Sequence, residues 1–224
     1  MWFLFFALLL LILFPPLLLP LSLVIILVLL FIPFKFTIDS LLTLLVAPQQ
    51  IFKIATNSAL RRNHALEHAT INVLEETYTG QQLSGLAQEN GFVIYGNLNP
   101  ALVKQAAQEG LTRLQNGEQE LVVHDRCGSS LIVGNILAAI IFLALLLQTG
   151  NLTILYVLVA LLFSRLLRPL VGRYVQQLLT TSAEVEGMII KGLRYNHNID
   201  NLLGFRLSAK PQKLFVETDK LEVY

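Results

Sequence analysis

Leu131 to Leu147 reads LIVGNILAAIIFLALLL, and Leu152 to Leu167 reads LTILYVLVALLFSRLL; Gln148-Thr149-Gly150-Asn151 joins them. The first run carries no charge, and each is close to the ~20 residues that cross a bilayer. A short uncharged polar turn between two such runs predicts a helical hairpin in a membrane. Arg126 stands before the first run, and Arg165, Arg168 and Arg173 close the second. Excess Lys and Arg marks the cytoplasmic side. The turn is therefore expected outside. The polar part and the C-terminus are expected on the cytoplasmic face of a bacterial inner membrane, or the stromal face of a thylakoid.

The composition agrees with a lipid setting. Of 224 residues, 54% are hydrophobic and only 14% charged, where soluble domains carry about 25% charged residues. The mean hydropathy is +0.64. A net charge of +1 and no basic run interleaved with aromatics speak against nucleic acid as a partner. The lone Cys127 excludes an internal disulfide. It suits a reducing compartment, a metal ligand or an inert core position.

Upstream, residues 1–34 carry no charge. They are long for one simple span and short for two. Pro15, Pro16 and Pro20 interrupt them, so two readings follow: a tight hairpin of short helices, or a short apolar helix followed by a tilted one from about Leu17 to Phe34; a pair of helices is the favoured expectation. Residues 35–79 follow as an amphipathic surface helix and a motif helix. Asp39-Ser40 would cap the first and Pro48 end it. The second would run from about Gln50 to Tyr78 and stop at Thr79-Gly80. Residues 80–130 read as a small α/β lobe: a strand over residues 91–96, a helix from Ala101 to Asn116 started by Asn99 and Pro100, and a strand over residues 120–124. After the hairpin (residues 131–167), residues 168–224 predict a helix over residues 172–195 and short strands at residues 205–207 and 214–216. The fold class is thus a mainly α membrane protein with N-terminal apolar helices, a C-terminal transmembrane hairpin and a small α/β cytoplasmic lobe.

The chemistry concentrates on the motif helix, at His64-Ala-Leu-Glu67-His68. Residues three and four apart share a helix face. Two imidazoles one turn apart can hold one metal ion, and a carboxylate beside them can take a proton from bound water. The order His-x-x-Glu-His is that of inverzincins. Equally, the three could be polar residues meeting headgroups or water. Downstream, His124 and Cys127 could add ligands, while their plain alternatives are a strand-end histidine and a small buried hydrophobe. Glu186, and less so Glu184, could be the distant third ligand, or simply carboxylates at a helix start. Asn72, one turn past His68, could support the site by hydrogen bonding. Glu75 and Glu76 compete as surface charges, and His197 lies in a polar loop with no expected role.

Taken together, His64-x-x-Glu67-His68-x-x-Ile71-Asn72, then His124-Asp-Arg126-Cys127-Gly128, an apolar hairpin, and Thr180-Thr181 before an acidic stretch resemble a bacterial multi-pass membrane family. Its members are described as candidate metal-dependent enzymes, with His-x-x-Glu-His and His-Pro-Arg-Cys-Gly motifs. Asp125 departs from that pattern, which has proline there. The match spans about residues 60–195. A smaller uncharacterised group of cyanobacteria and plastids is similar to more of the chain. The resemblance implies that the three pieces form one site, and supplies no reaction. Two expectations follow. One is a metal-dependent hydrolase or peptidase with a divalent, zinc-like ion on His64, His68 and Glu186, Glu67 as general base, and a membrane-protein substrate or partner. The other is a non-catalytic scaffold or assembly factor, with a structural metal on His64, His68, His124 and Cys127, or none.

Overall fold

A computed structural model of the chain describes residue 16 and residues 18–77, 83–96, 99–195 and 212–221. The expected short apolar helix before Leu17, the strand at residues 205–207 and His197 lie outside these residues. The described residues are mainly helical, with a small antiparallel sheet. They divide into two compact units: Met1–Leu45 with Asn135–Leu166, and Val46–Gly134 with Leu167–Tyr224.

The first unit is built from apolar helix. Helix α1 runs without a break over Leu18–Ala55, so the expected surface helix is not a separate element. Asp39 does not cap a new start; its carboxylate pairs with Lys35 one turn back, at 2.5 Å. Pro33 and Pro48 lie inside the helix, where a proline costs one backbone hydrogen bond. In an apolar solvent, unravelling would expose more unpaired groups than that, so a helix tolerates the proline. Thr37 Oγ1 donates to Pro33 O at 2.8 Å. Helix α4 (Gly128–Thr149) and helix α5 (Ile154–Val175) hold the two apolar runs of the hairpin. Phe142, Val157 and Ala160 make a small core, and Phe36 meets Phe142 edge to face at 4.9 Å. Beyond this core the helices expose leucines, Leu147 at 84%. Three helices, Leu19–Ala55, Gly128–Thr149 and Ile154–Thr180, are long and apolar enough to cross a membrane.

The second unit centres on helix α2 (Ser58–Thr77). Its start is set by Asn57, whose Oδ1 accepts the Leu60 N–H at 2.9 Å, some eight residues later than the sequence suggested. One face of α2 packs on helix α3 (Pro100–Gln115) through Ala69, Leu111 and Leu114. Asn99 caps α3 and Pro100 occupies its first turn, as read from the sequence. Another face packs on the sheet, whose strands β1 (Ser84–Gln88), β2 (Gly91–Gly96), β3 (Met188–Tyr195) and β4 (Gln212–Lys220) stand in the order β1-β2-β4-β3. Neighbouring strands are antiparallel.

Two expected elements are different. The strand at residues 120–124 is a 3-10 turn, Gln119–Val122, followed by extended chain. Leu121 and Val122 point into the core, but their carbonyls, with that of Val123, are taken by side chains of α2 in place of a strand partner. The helix over residues 172–195 stops early. Helix α5 ends at Val175, a single π turn follows over Gln176–Thr180, and Gly187, at φ 72°, turns the chain into β3. The β-branched run Ile189-Ile190 pairs with Asp219 and Thr218 of β4. The lobe therefore does not close within residues 80–130: β4, one of the two inner strands, comes from residues 212–220, and its Leu214 and Val216 share the core with Phe92 and Ile94 of β2.

Candidate metal centre

On α2 the one-turn spacing sets the two imidazoles edge to face, with ring centroids 4.4 Å apart. His68 is fully buried at 0% exposure, and His64 and Glu67 are buried beside it. Such burial of three ionisable side chains is rare unless each has a partner. Their partners come from three segments distant in sequence.

His64 Nδ1 lies 2.8 Å from Thr180 O, and His68 Nδ1 lies 2.6 Å from Val122 O. A carbonyl only accepts, so both Nδ1 atoms carry hydrogen; the Nε2 lone pair of His68 is free to bind, and that of His64 becomes free when the proton it shares with Cys127 leaves. His64 Nε2 stands 3.0 Å from Cys127 Sγ. His68 Nε2 is buried with no hydrogen-bond partner among the described residues. One nitrogen of each ring and the sulfur all lie within 4.8 Å of one another. The ligand atoms of a tetrahedral zinc are roughly 3.5 Å apart, from bond lengths of about 2.0–2.3 Å. The trio fits one ion after a small contraction.

Cys127 immediately precedes Gly128, the first residue of α4, and its sulfur also lies 3.1 Å from Ser129 Oγ and 3.4 Å from Ser129 N. Burial alone would raise the thiol pKa. Hydrogen bonding to His64, then the close approach of His68, then the attraction of both rings overcome it, bringing Cys127 down to about 4. Burial likewise works against charge on His64, and the bond to Cys127 outweighs it, raising the imidazole to about 9. The pair is thus an imidazolium beside a thiolate. His68 moves the opposite way: burial, then the charge on His64, lowers it, so its lone pair is available at neutral pH.

Glu67 lies under β1. A Cβ built on Gly85 would fall within 2.5 Å of Glu67 Cδ and Cγ, so only glycine leaves room there for the carboxylate. Burial, against the attraction of His64, raises Glu67 to about 8, while the Ala87 N–H donates to it. The carboxyl therefore titrates close to neutrality, where an acid–base group works best.

The sequence-derived candidates divide accordingly. His64, Glu67, His68 and Cys127 come together. His124 is next to them, its ring 5.9 Å from that of His68, but its Nε2 faces Glu75 Oε2 at 3.5 Å, so the expected closed set of four is not formed. Asn72 lies beside them: its Nδ2 donates to Leu121 O at 3.1 Å and Val123 O at 3.0 Å, on either side of the carbonyl that meets His68. Glu184 and Glu186 are exposed and neither is in the converging trio. The chain turns here, with Val185 N–H donating to Ala183 O and Met188 N–H to Val185 O, and it is Val185 between the two glutamates that is buried. The third member of the trio is Cys127.

Sequence reasoning missed the carbonyls of Thr180 and Val122, the buried Gln176, and Gly85. Thr180-Thr181 is part of the resemblance, but what meets His64 there is a backbone carbonyl. Backbone acceptors carry no side-chain signature, so no local signal names them.

Residues 59–193, which include the cluster and Thr180, match a family described as "Domain of unknown function (DUF6391)". An uncharacterised protein of the cyanobacterium Picosynechococcus sp. is 32% identical over 135 residues, covering 55% of this chain and 66% of its own length. No solved structure matches the chain. With well over half of its residues inside the family match, the chain belongs to this family of unknown function.

Proposed function

We propose that this chain is an integral membrane protein that holds a divalent, zinc-like metal ion on His64 Nε2, His68 Nε2 and Cys127 Sγ, and that it is a metal-dependent hydrolase of amide bonds in membrane-associated protein substrates. The observation that carries the metal reading is the orphaned Nε2 of a fully buried His68, its Nδ1–H committed to Val122 O. A buried imidazole with one nitrogen fixed and the other unsatisfied beside a thiolate has the donor set and tautomer of a metal ligand.

A bound ion would supply Lewis acidity and an acidified water. Three protein ligands leave a fourth position open, as in catalytic zinc sites. The chain itself supplies the rest. Glu67, titrating near 8, accepts a proton from the attacking water at its carboxylate and passes it to the leaving amine. The thiolate of Cys127 and the two carbonyl-oriented imidazoles keep their geometry while that proton moves. The arginines flanking the apolar hairpin support placing the second unit on the cytoplasmic or stromal side.

A second reading is favoured by the burial of His64, His68 and Cys127. There the ion only staples α2 to the start of α4, in a scaffold or assembly factor.

Metal analysis of the detergent-purified full chain tests both. The expected result is about one equivalent in the wild type and in Glu67→Gln, and none in His64→Ala, His68→Ala or Cys127→Ser. Full occupancy in His64→Ala would sink the ligand assignment. With cobalt as the probe, added hydroxamate should shift the visible bands if the fourth position is open. Unchanged bands would decide for the staple.

A further inference from the structure

The carbonyls that orient the two imidazoles belong to segments without a regular ladder, one ending a π turn and one ending a 3-10 turn. Something else must hold each in place. Around Thr180, the Arg61 guanidinium donates to Thr181 O at 3.2 and 2.8 Å and to Leu178 O at 3.1 Å. The Ser182 N–H also donates to Arg61 O at 3.2 Å. Around Val122, the Asn72 amide donates to Leu121 O and Val123 O. Around Val122 both adjacent carbonyls are clamped, and around Thr180 the next carbonyl and the one two residues before it are; in both cases the clamp comes from α2. Arg61 precedes His64 by three residues, and Asn72 follows His68 by four, so each clamp shares a helix face with the histidine it serves.

Gln176 joins the two segments. Its Oε1 accepts the His124 N–H at 2.9 Å, and its Nε2 donates to His124 O at 3.0 Å. Its own carbonyl accepts from Thr181 N at 2.9 Å and Thr181 Oγ1 at 2.8 Å. The side chain is 1% exposed, so this double bond to a backbone works without competition from water.

We infer that Arg61 and Asn72 are positioning residues, each fixing the tautomer and ring orientation of one histidine through a clamped carbonyl: Arg61 through Thr180 O for His64, Asn72 through Val122 O for His68. Such supporting bonds are worth roughly 10–100-fold in metal affinity. That affinity outcome rests on the metal-site reading above; the effect on the rings does not.

The test is nitrogen NMR of the full chain in detergent with labelled histidine, of which there are only four, assigned by His→Gln variants and recorded with chelator present. Asn72→Asp keeps the shape and loses the donor; it should disturb the Nδ1–H signal of His68 and spare His64. Arg61→Leu should do the converse. Arg61→Lys and Asn72→Ser serve if either first choice does not fold. Cobalt affinity should fall about 10–100-fold in each variant. Wild-type histidine spectra in both variants would overturn the inference. So would both histidines shifting together in either variant, since that is general loosening. A wild type that takes no cobalt would defeat the metal reading alone, and the histidine spectra would still decide the clamps.

Discussion

The two units invert each other's rules. In the unit of Met1–Leu45 and Asn135–Leu166 the large apolar side chains face outward, Leu147 and Leu158 among them, and the core is little more than Phe142, Val157 and Ala160. In the other unit the apolar residues close inward, and at their centre lie two histidines, a glutamate and a cysteine. Outward leucines are costly in water and cost nothing in hydrocarbon. Inward charges are costly anywhere unless they answer one another or a ligand. The first pattern describes a solvent, and the second describes a site.

A charge placed on each surface should break this comparison most directly. Leu158 and Leu86 are both exposed, at 56% and 52%. If α5 lies in lipid, Leu158→Arg should weaken insertion by up to about 2.5–3.5 kcal/mol, the cost of an arginine at the middle of a span. Leu86→Arg, on β1, should change stability by less than about 0.5 kcal/mol. Carbonate extraction of membranes from cells expressing each variant reads the first effect, and thermal melting the second. Equal, negligible effects would remove the lipid assignment.

Gly85→Ala probes the inward charges without touching one. The new methyl group must push Glu67 or β1 aside. Overpacking of this kind costs about 1–3 kcal/mol. Chemical denaturation of the solubilised chain should show a loss in that range, and in Glu67→Ala the same glycine change should cost much less. Additive losses would mean that Gly85 does not make room for the carboxylate.

The smallest effect is a pH slope, read with chelator present. Glu67 rises from 4.5 to about 8 and His64 from 6.5 to about 9 on folding, while Cys127 falls from 9.0 to about 4. A raised pKa contributes stability that is complete below the unfolded value and fades as pH climbs to the folded one. A lowered pKa contributes stability that is complete above the unfolded value and fades as pH falls to the folded one. Between about 6.5 and 8, Glu67 and His64 each lose stability with rising pH while Cys127 gains, leaving one net proton. His68, lowered from 6.5, adds nothing above that value. The free protein should therefore lose about 1.4 kcal/mol per pH unit across this window. Glu67→Gln should flatten the slope, and a slope unchanged in that variant would show that Glu67 is not the group that titrates.

Much of the chain was legible because its signals are local. The apolar runs at residues 131–147 and 152–167 needed only composition, and Asn99-Pro100 announced α3 with its own cap. His64, Glu67 and His68 were legible because a helix puts every third and fourth residue on one face. The errors fell where a tertiary contact outranked a local cue. Pro48 did not end α1, and residues 120–124 gave up a strand because Asn72 and His68 took their carbonyls. The third member of the cluster could not be chosen between Cys127 and Glu186 by spacing, since both lie far along the chain.

The sequence by itself determined the apolar character of the helices and the shared face of the two histidines, because both follow from helix period and composition. Only the tertiary structure decided that Cys127 joins them, that Gly85 makes room for Glu67, and that Val122 and Thr180 fix the rings. Those are meetings of segments between 18 and 116 residues apart in the chain. Backbone carbonyls look alike at every position, so their roles appear only when the chain has closed around them.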